Sequence, residues 1–184
     1  MSILEIIAAT MGVLSVWYAR KNNVLVFPTG IVSVLIYVYI TYSYQIYAEA
    51  GINIYYFLMS VYGWILWTSK NKKIKKRISK NNKRDNIIYL TFFFVLFFAL
   101  YLILNSTDSD VIFLDSITTA LSLTAMLLLA RRKLENWIYW IIADIIYIPL
   151  FIYKELYVTS FQYFIFLVLA ISGYKEWKKL LRND

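Results

Sequence analysis

One stretch of this 184-residue chain holds most of the side chains that could recognise a ligand. Four of them follow one another at spacings of three, four and three residues, which places them on one face of a helix. They are Trp137, Trp140, Asp144 and Tyr147. Rings stack on a flat ligand, indoles attract a cation, and a carboxylate accepts hydroxyl hydrogens. This face therefore predicts a binding site for a flat, cationic, hydroxyl-bearing molecule.

Asp144 is the costliest of these groups, because it lies near the middle of a long apolar stretch. An ionised carboxylate at the centre of a bilayer costs about 2.5–3.5 kcal/mol on insertion scales. No Lys or Arg lies at comparable depth, so water, hydroxyl or amide groups, or a cationic ligand must compensate. For Trp137 the sequence leaves open a second interpretation, a place in an interfacial aromatic belt.

Other predicted helices also carry polar groups at membrane depth. An unpaired amide in hydrocarbon costs several kcal/mol, so Asn53 and Gln162 are candidate site residues. Ser and Thr hydroxyls commonly bond to their own helix backbone or assist helix packing, the role expected of most of them here. The fifth helix carries Thr118, Thr119 and Ser122, and the remaining site candidates are Ser33, Tyr37, Tyr56 and Trp64.

The composition argues against catalysis and metal binding. The chain has no cysteine and no histidine, which removes thiolate nucleophiles, the commonest general base and the commonest metal ligand. No second deep carboxylate is placed to pair with Asp144, and no nucleotide-binding motif occurs. We therefore expect no enzyme, no metal and no cofactor. A receptor or scaffold that uses a basic loop as its contact surface is an alternative from another class.

Long apolar stretches predict an all-α integral membrane protein. Apolar residues make up 61% and aromatic residues 19% of the sequence, which leaves too little polar surface for a soluble core. A helix crosses the hydrocarbon in about 20 residues, and these runs lack the alternation of barrel strands. Seven stretches qualify as transmembrane helices: 3–19, 24–43, 48–67, 87–104, 112–130, 137–153 and 157–177. Glu5 argues against a cleaved leader in the first stretch.

The basic residues orient these helices. Eighteen of the nineteen Lys and Arg residues follow the first, third, fifth and seventh stretches, and Lys154 alone lies on the other side. The positive-inside rule then places the N-terminus outside and the C-terminus in the cytoplasm. Acidic residues near the outer ends, among them Asp108 and Asp110, agree. The net charge of +8 thus reflects topology and contact with anionic lipid, and no nucleic-acid partner is expected.

A polar, Lys- and Asn-rich segment, 70–86, divides the single transmembrane domain, and we expect it to be a solvated cytoplasmic loop. It separates a first triple-helix bundle, 1–69, from a linker helix, 87–104, and a second triple-helix bundle, 112–177. Because one helix lies between the bundles, both enter the membrane from the same side. The sequence therefore predicts a 3+1+3 parallel repeat, as in the SWEET sugar transporters.

An internal repeat supports that division. Shifting the first bundle by 110 residues without a gap pairs identical residues: Ile31 with Ile141, Ile36 with Ile146, Tyr37 with Tyr147, Tyr47 with Tyr157, Gly63 with Gly173, and Trp67 with Trp177. Chance supplies some Ile and Tyr matches in so apolar a chain. The Gly-x-x-x-Trp pattern at the end of both bundles is less easily explained by chance.

Several segments together resemble the PnuC family of bacterial vitamin transporters. They are 26–31 (VFPTGI), 55–57 (YYF), 60–64 (SVYGW), the Trp-x-x-Trp-x-x-x-Asp pattern of 137–144, 159–163 (TSFQY) and 173–174 (GY). The resemblance implies a SWEET-like fold that assembles as a homotrimer in the bacterial cytoplasmic (inner) membrane. It also implies a uniporter that imports a vitamin, most often nicotinamide riboside, by facilitated diffusion, and a cytoplasmic kinase that traps the vitamin by phosphorylation.

The same resemblance carries over Trp137, Trp140 and Asp144 as site residues, with Gln162 and the polar face of the third helix opposite. Two positions depart from the family pattern: many relatives have Asn in place of Ser33 and Gln in place of Asn53. Both changes shorten a polar contact. Nicotinamide riboside and thiamine are both flat cations with a hydroxyl-bearing arm, so thiamine, or another B vitamin or nucleoside, remains an alternative substrate.

Overall fold

Seven α-helices make up the computed structural model of the chain, which describes residues 3–71, 73, 76–105 and 111–183. Their bounds are α1 (Ile3–Arg20), α2 (Val26–Ser43), α3 (Tyr47–Thr68), α4 (Lys83–Leu104), α5 (Ile112–Ala130), α6 (Asn136–Tyr153) and α7 (Tyr157–Asn183). Every predicted helix is present, and α7 continues six residues beyond its predicted end. The predicted outer acidic residues Asp108 and Asp110 lie outside the described residues.

Six of these helices are long and apolar enough to cross a membrane. The seventh, α3, has 22 residues and is long enough, but polar side chains such as Glu49 and Asn53 lower its apolar character. A multi-pass helical membrane protein is therefore confirmed. The crossing of α3 stays a prediction.

Tight turns reverse the chain within each bundle. Among the described residues, four non-glycine residues have positive φ: Asn22 (52°), Gln45 (61°), Arg132 (54°) and Glu155 (59°). A left-handed residue after a helix lets backbone N–H groups turn back to the last carbonyls. Around Asn22, the N–H of the next residue donates to the Tyr18 carbonyl at 2.9 Å. The four turns make successive helices in each bundle antiparallel neighbours.

Six of the helices close into a ring. Going round it, α1 packs on α2, α2 on α3, α3 on α5, α5 on α6, α6 on α7, and α7 on α1. The two bundles therefore meet twice, through α3 with α5 and through α7 with α1. The remaining helix, α4, packs on the outside of α5, and most of its side chains are exposed. This arrangement leaves a space enclosed by both bundles.

Four buried aromatic residues close one end of the ring, and we call them the aromatic plug: Phe27, Trp67, Trp137 and Trp177. Each is at most 3% exposed. The Trp67 ring lies 4.9 Å from Phe27 and 6.0 Å from Trp177 between centroids, and Trp137 lies 5.5 Å from Trp177. Edge-to-face rings at these distances attract one another. The plug thus fills the ring where α1, α3 and α5 end.

Two indole hydrogen bonds join the bundles beside the plug. Trp67 Nε1 donates to the Ala130 carbonyl at 3.1 Å, and Trp177 Nε1 donates to the Ala19 carbonyl at 3.0 Å. All of these groups are buried, and carbonyls at a helix end lack partners within the helix. The Trp67 bond therefore satisfies the Ala130 carbonyl, the Trp177 bond adds to the one that the Ala19 carbonyl accepts from the Asn22 N–H at 2.9 Å, and both hold the end of one bundle against the other.

The basic segment between α3 and α4 is less free than expected. Backbone bonds connect Ser79 with the turn between α5 and α6, from the Ser79 N–H to the Arg132 carbonyl at 3.0 Å and from the Leu134 N–H to the Ser79 carbonyl at 2.9 Å. Arg132 Nη1 donates to the Lys76 carbonyl at 2.8 Å, and its guanidinium lies 4.0 Å from the Trp67 ring centroid. Burial lowers the pKa of Arg132 to about 10, so it stays charged at neutral pH. The described part of this segment is therefore held against the turn between α5 and α6 and lies beside Trp67 of the plug.

Two glycines make room for the plug. A Cβ on Gly63 would overlap the Phe27 ring and lie 3.1 Å from the Ala130 Cα, and a Cβ on Gly173 would lie 2.6 Å from Cζ2 of Trp137. Both rings are buried and packed against other rings of the plug, so a shift of either would disturb that packing. The two glycines are thus required by close packing.

Replacing Gly63 with Ala tests this packing. We expect Gly63→Ala to destabilise the protein by about 1–3 kcal/mol, because overpacking forces buried atoms apart. The measurement is thermal unfolding of the purified protein in detergent. Gly51→Ala is the matched control, since a Cβ there meets nothing within 4 Å, and it should melt at or above the wild-type temperature. Equal melting of both variants would contradict the packing argument.

Candidate functional site

A cavity of about 230 Å³ lies inside the ring, against the aromatic plug. All six helices of the ring contribute to its wall, and α4 contributes nothing among the described residues. Phe27 and Trp137 belong both to the plug and to the cavity wall. A single enclosed space between helices of a bundle is the usual place for a small-molecule site.

Six of the ten predicted site residues line this cavity: Ser33, Tyr56, Trp137, Trp140, Asp144 and Tyr147. Four of the six come from α6, so the helix face that their spacing predicts does point into the ring. Tyr56 approaches from α3. The hydrogen of the Ser33 hydroxyl is not available to a ligand, because it is donated to the Ala8 carbonyl at 2.8 Å. This bond joins α2 to α1.

The other four predicted residues lie outside the cavity lining. Asn53 donates to the Glu49 carbonyl at 2.9 Å within its own helix, and Trp64 is 40% exposed. Tyr37 and Gln162 are partly exposed and are likewise absent from the wall. Their contact with a ligand stays a prediction that the cavity does not support.

Asp144 is 2% exposed and is the acidic side chain of the cavity wall. Among the described residues it forms no hydrogen bond or ion pair; the two ion pairs, Lys133 with Asp85 and Lys154 with Asp115, lie elsewhere. A buried carboxylate without a partner is unfavourable, and a cation in the cavity would relieve that cost. The site therefore offers one acidic side chain that has no protein partner.

Trp137 offers an unused hydrogen-bond donor. Its Nε1 is buried and has no partner among the described residues, whereas the indoles of Trp67 and Trp177 both donate to helix-end carbonyls. Trp137 is only 1% exposed, and its ring packs edge-on against Trp177. It is therefore not a residue of an interfacial belt, and its ring position is fixed by the plug.

Aromatic rings packed on one another form another part of the wall. Tyr147 and Tyr163 lie 4.4 Å apart between centroids, and Tyr163 also packs against Phe166 at 5.7 Å. All three line the cavity. Together with Trp140 they present flat apolar surfaces on which a planar ligand can stack.

The sequence prediction missed several wall residues. Gly12, Ser15 and Gly30 make the first bundle's wall small, and a Cβ on Gly30 would lie 3.0 Å from Ser15 Oγ. Tyr163 and Phe166 come from α7, and with Ala170 they are spaced by three and four residues on one helix face. That spacing is the signal that could have identified them. Ser122 on α5 is also in the wall, whereas backbone bonding or helix packing is the role expected of most Ser and Thr residues at this depth.

Comparison with known proteins agrees with this architecture. A family model described as nicotinamide mononucleotide transporter matches residues 2–179. The nicotinamide riboside transporter PnuC of Escherichia coli (strain K12) is 26% identical over 204 residues, covering 96% of this chain and 85% of that protein. The Haemophilus influenzae protein of the same name is 24% identical, covering 98% and 81%. A crystal structure of the vitamin B3 transporter PnuC matches with a TM-score of 0.77 at 23% identity, covering 98% of this chain and 82% of that one.

The apolar helices form a ring around a cavity, and the family model of a transporter matches nearly the whole chain. Together these findings define a multi-pass membrane transporter. The chain belongs to the nicotinamide mononucleotide transporter family, which includes the PnuC proteins. The resemblance predicted from the sequence segments is thereby confirmed, and so is the class: a transporter and not an enzyme.

Replacing Asp144 with Asn tests whether the carboxylate is unpaired. We expect the ligand-free Asp144→Asn protein to melt at or above the wild-type temperature in detergent, because the change replaces a buried acid without a partner by a neutral amide of nearly the same size. Asp85→Asn is the control: its carboxylate pairs with Lys133 at 2.7 Å, and its loss should lower the melting temperature. A clear drop for Asp144→Asn would reveal a structural partner for this group.

Proposed function

We propose that this chain is a uniporter that imports nicotinamide riboside across the bacterial cytoplasmic membrane by facilitated diffusion. In the cytoplasm, phosphorylation by a kinase then traps the riboside. The observation that carries the proposal is the uncompensated carboxylate of Asp144 in a cavity walled by indole and phenol rings. The names of the similar curated proteins, nicotinamide riboside transporters, support the same substrate.

The wall matches the two parts of this substrate. The nicotinamide ring of the riboside is flat and positively charged, so it can stack on aromatic side chains and be attracted to their faces. The ribose carries hydroxyl groups that can donate to a carboxylate. The rings of Trp137 and Trp140 suit the first part and Asp144 suits the second, and its charge also balances the cation.

The charges of the wall favour a riboside over a phosphorylated substrate. Asp144 is the one charged residue among the wall residues, and no Lys or Arg lines the described cavity. A phosphate group would meet a negative charge and no cation in a site of low dielectric, which is strongly unfavourable. This supports entry of the unphosphorylated vitamin. It also explains how phosphorylation inside the cell would prevent return.

Uptake into proteoliposomes tests the substrate. Vesicles that contain the purified chain are expected to take up labelled nicotinamide riboside faster than empty vesicles, without ATP or an ion gradient, until the concentrations inside and outside are equal. Nicotinamide mononucleotide should neither enter nor compete. Asp144→Ala should weaken riboside binding about tenfold or more, since it removes the charged partner.

Two results would contradict the proposal. Riboside uptake at the rate of empty vesicles, together with uptake of labelled thiamine, would overturn the substrate and select the thiamine alternative. Accumulation of riboside above the outside concentration only in the presence of an ion gradient would overturn the uniporter mechanism.

We also propose that the two bundles form a 3+1+3 parallel repeat around α4, as in SWEET-like folds. Three observations support it. The bounds of α6 are those of α2 shifted by 110 residues. The left-handed turn residues Asn22 and Arg132 are 110 residues apart, as are Gln45 and Glu155. The indole bonds from Trp67 and Trp177 connect each bundle to the other in the same way.

In the membrane, we propose seven crossings, with α3 among them, the N-terminus outside and the C-terminus in the cytoplasm. The tight turns on both sides of α2 make α1, α2 and α3 antiparallel, which supports a crossing by α3. Basic residues at one end of the ring, Lys154 excepted, support the orientation. The proposed homotrimer is compatible with the exposed apolar side chains of α4, which include Leu90, Phe94 and Phe98.

Single cysteines test this topology directly, because the chain has no cysteine of its own. A membrane-impermeant maleimide should label Ser43→Cys in intact cells and Lys179→Cys only after the membrane is permeabilised. Both side chains are exposed, so accessibility is controlled by the membrane alone. The reverse labelling pattern would invert the orientation, and labelling of both in intact cells would mean that the two ends share the outer side.

A further inference from the structure

Ser122 differs from its neighbours on α5 in how its hydroxyl is used. Four hydroxyl side chains of this helix are buried, each at most 2% exposed. Three donate to a carbonyl four residues earlier at 2.7 Å: Ser116 to Ile112, Thr118 to Leu114 and Thr124 to Ala120. Such bonds are the normal use of a hydroxyl in an apolar helix. Ser122 Oγ alone of the four has no hydrogen-bond partner in the described structure.

Ser122 is one of the residues that line the cavity. Its side chain belongs to the cavity wall, where Met126 and Leu129 continue the same face of α5. The phenol groups of Tyr56 and Tyr147, also in the wall, lie within hydrogen-bonding reach of Ser122, but neither meets both the distance and the angle of a full hydrogen bond to its Oγ. A buried hydroxyl without a partner is unfavourable, so the arrangement points to a partner that occupies the cavity.

Ser122 also lies at the depth of Asp144. The two helices are antiparallel neighbours joined by a tight turn, and Ser122 is eight residues before the end of α5 while Asp144 is eight residues after the start of α6. At 1.5 Å per residue both lie about 12 Å from that end. Trp137, a residue of the plug, is one residue into α6 and therefore lies about 10 Å nearer that end than Asp144. The cavity thus has an aromatic end at the plug, and its polar residues Ser122 and Asp144 lie together about 10 Å deeper.

We propose that Ser122 is a substrate-binding residue that hydrogen-bonds a hydroxyl of the ligand's polyol part, while the planar ring lies between this level and the plug. The proposal rests on the proposed function for the identity of the polyol, a ribose. A serine hydroxyl both donates and accepts, so it can pair with a neutral sugar hydroxyl whose hydrogen goes to Asp144. Ser122 would then select for a ligand that carries a hydroxyl at one position.

Binding measurements with substrate analogues test this. The affinity of purified wild type and Ser122→Ala is measured for nicotinamide riboside and for its 2′-, 3′- and 5′-deoxy analogues. We expect Ser122→Ala to weaken riboside binding about fivefold, the usual effect of one neutral hydrogen bond. For the one analogue that lacks the contacted hydroxyl, wild type and variant should bind equally.

Two further variants act as controls. Thr124→Val removes a buried hydroxyl from the same helix, but one that is bonded to Ala120 and lies outside the cavity wall, so it should leave riboside affinity unchanged. Ser122→Cys keeps the size of the side chain with a weaker donor and should show an intermediate loss, which also serves if Ser122→Ala fails to fold. Melting temperatures in detergent check folding.

The outcomes separate this proposal from the proposed function. Unchanged riboside binding in Ser122→Ala, or an equal loss for the riboside and every deoxy analogue, would overturn the role of Ser122 while leaving riboside transport intact. If wild type binds thiamine and no riboside, the proposed function fails. In that case the affinities of wild type and Ser122→Ala are compared for thiamine and for its analogue without the hydroxyl. If the variant loses the same affinity for both ligands, the role of Ser122 is overturned.

Discussion

Hydrocarbon contains no water, so every polar group of a membrane helix needs a partner from the protein or from a ligand. In this chain most groups find one nearby: Thr118 and Thr124 bond within α5, Ser33 bonds to α1, and Trp67 closes an orphan carbonyl of the other bundle. Three of the exceptions lie in the cavity wall. Among the described residues, the carboxyl group of Asp144 has no hydrogen bond or ion pair, and the indole N–H of Trp137 and the hydroxyl of Ser122 have no partner. Other buried atoms without a partner, such as Arg20 Nε and Asn136 Oδ1, lie at helix ends and turns. The cavity wall therefore holds polar groups that a ligand can satisfy.

The scaffold and the site share one set of residues at the aromatic plug. Phe27 and Trp137 close the ring and also line the cavity, and glycines on α3 and α7 let them pack. The Arg132 guanidinium over Trp67 and the backbone bonds to Ser79 cover the same end. The rings of the plug pack on one another, and the indoles of Trp67 and Trp177 bond to the opposite bundle. Opening a path at this end would therefore break contacts between the bundles.

The sequence predicted the fold well because its signals are strong: apolar length defines the helices and basic loops separate them. It predicted the α6 face of the site for the same reason, since Trp137, Trp140 and Asp144 repeat at helical spacing. It could not distinguish Asn53, which lies outside the cavity wall, from Ser122, which lies in it. Whether a polar side chain bonds to its own backbone, as Asn53 does, or faces a cavity depends on rotamers and neighbours that spacing alone does not encode.

The cavity wall is unequal on its two sides. Residues 110 apart both line it, yet Phe27 stands opposite Trp137 in this register, Gly30 opposite Trp140, and Val34 opposite Asp144. The second bundle contributes the acidic group and most of the aromatic rings, and the first contributes mainly small residues besides Phe27 and Tyr56. In the proposed repeat, a nearly symmetric frame of helices thus encloses a cavity that is polar on one side. A ligand whose ring lies toward the plug and whose hydroxyls meet Asp144 would therefore fit this cavity in one orientation and not in the reverse one.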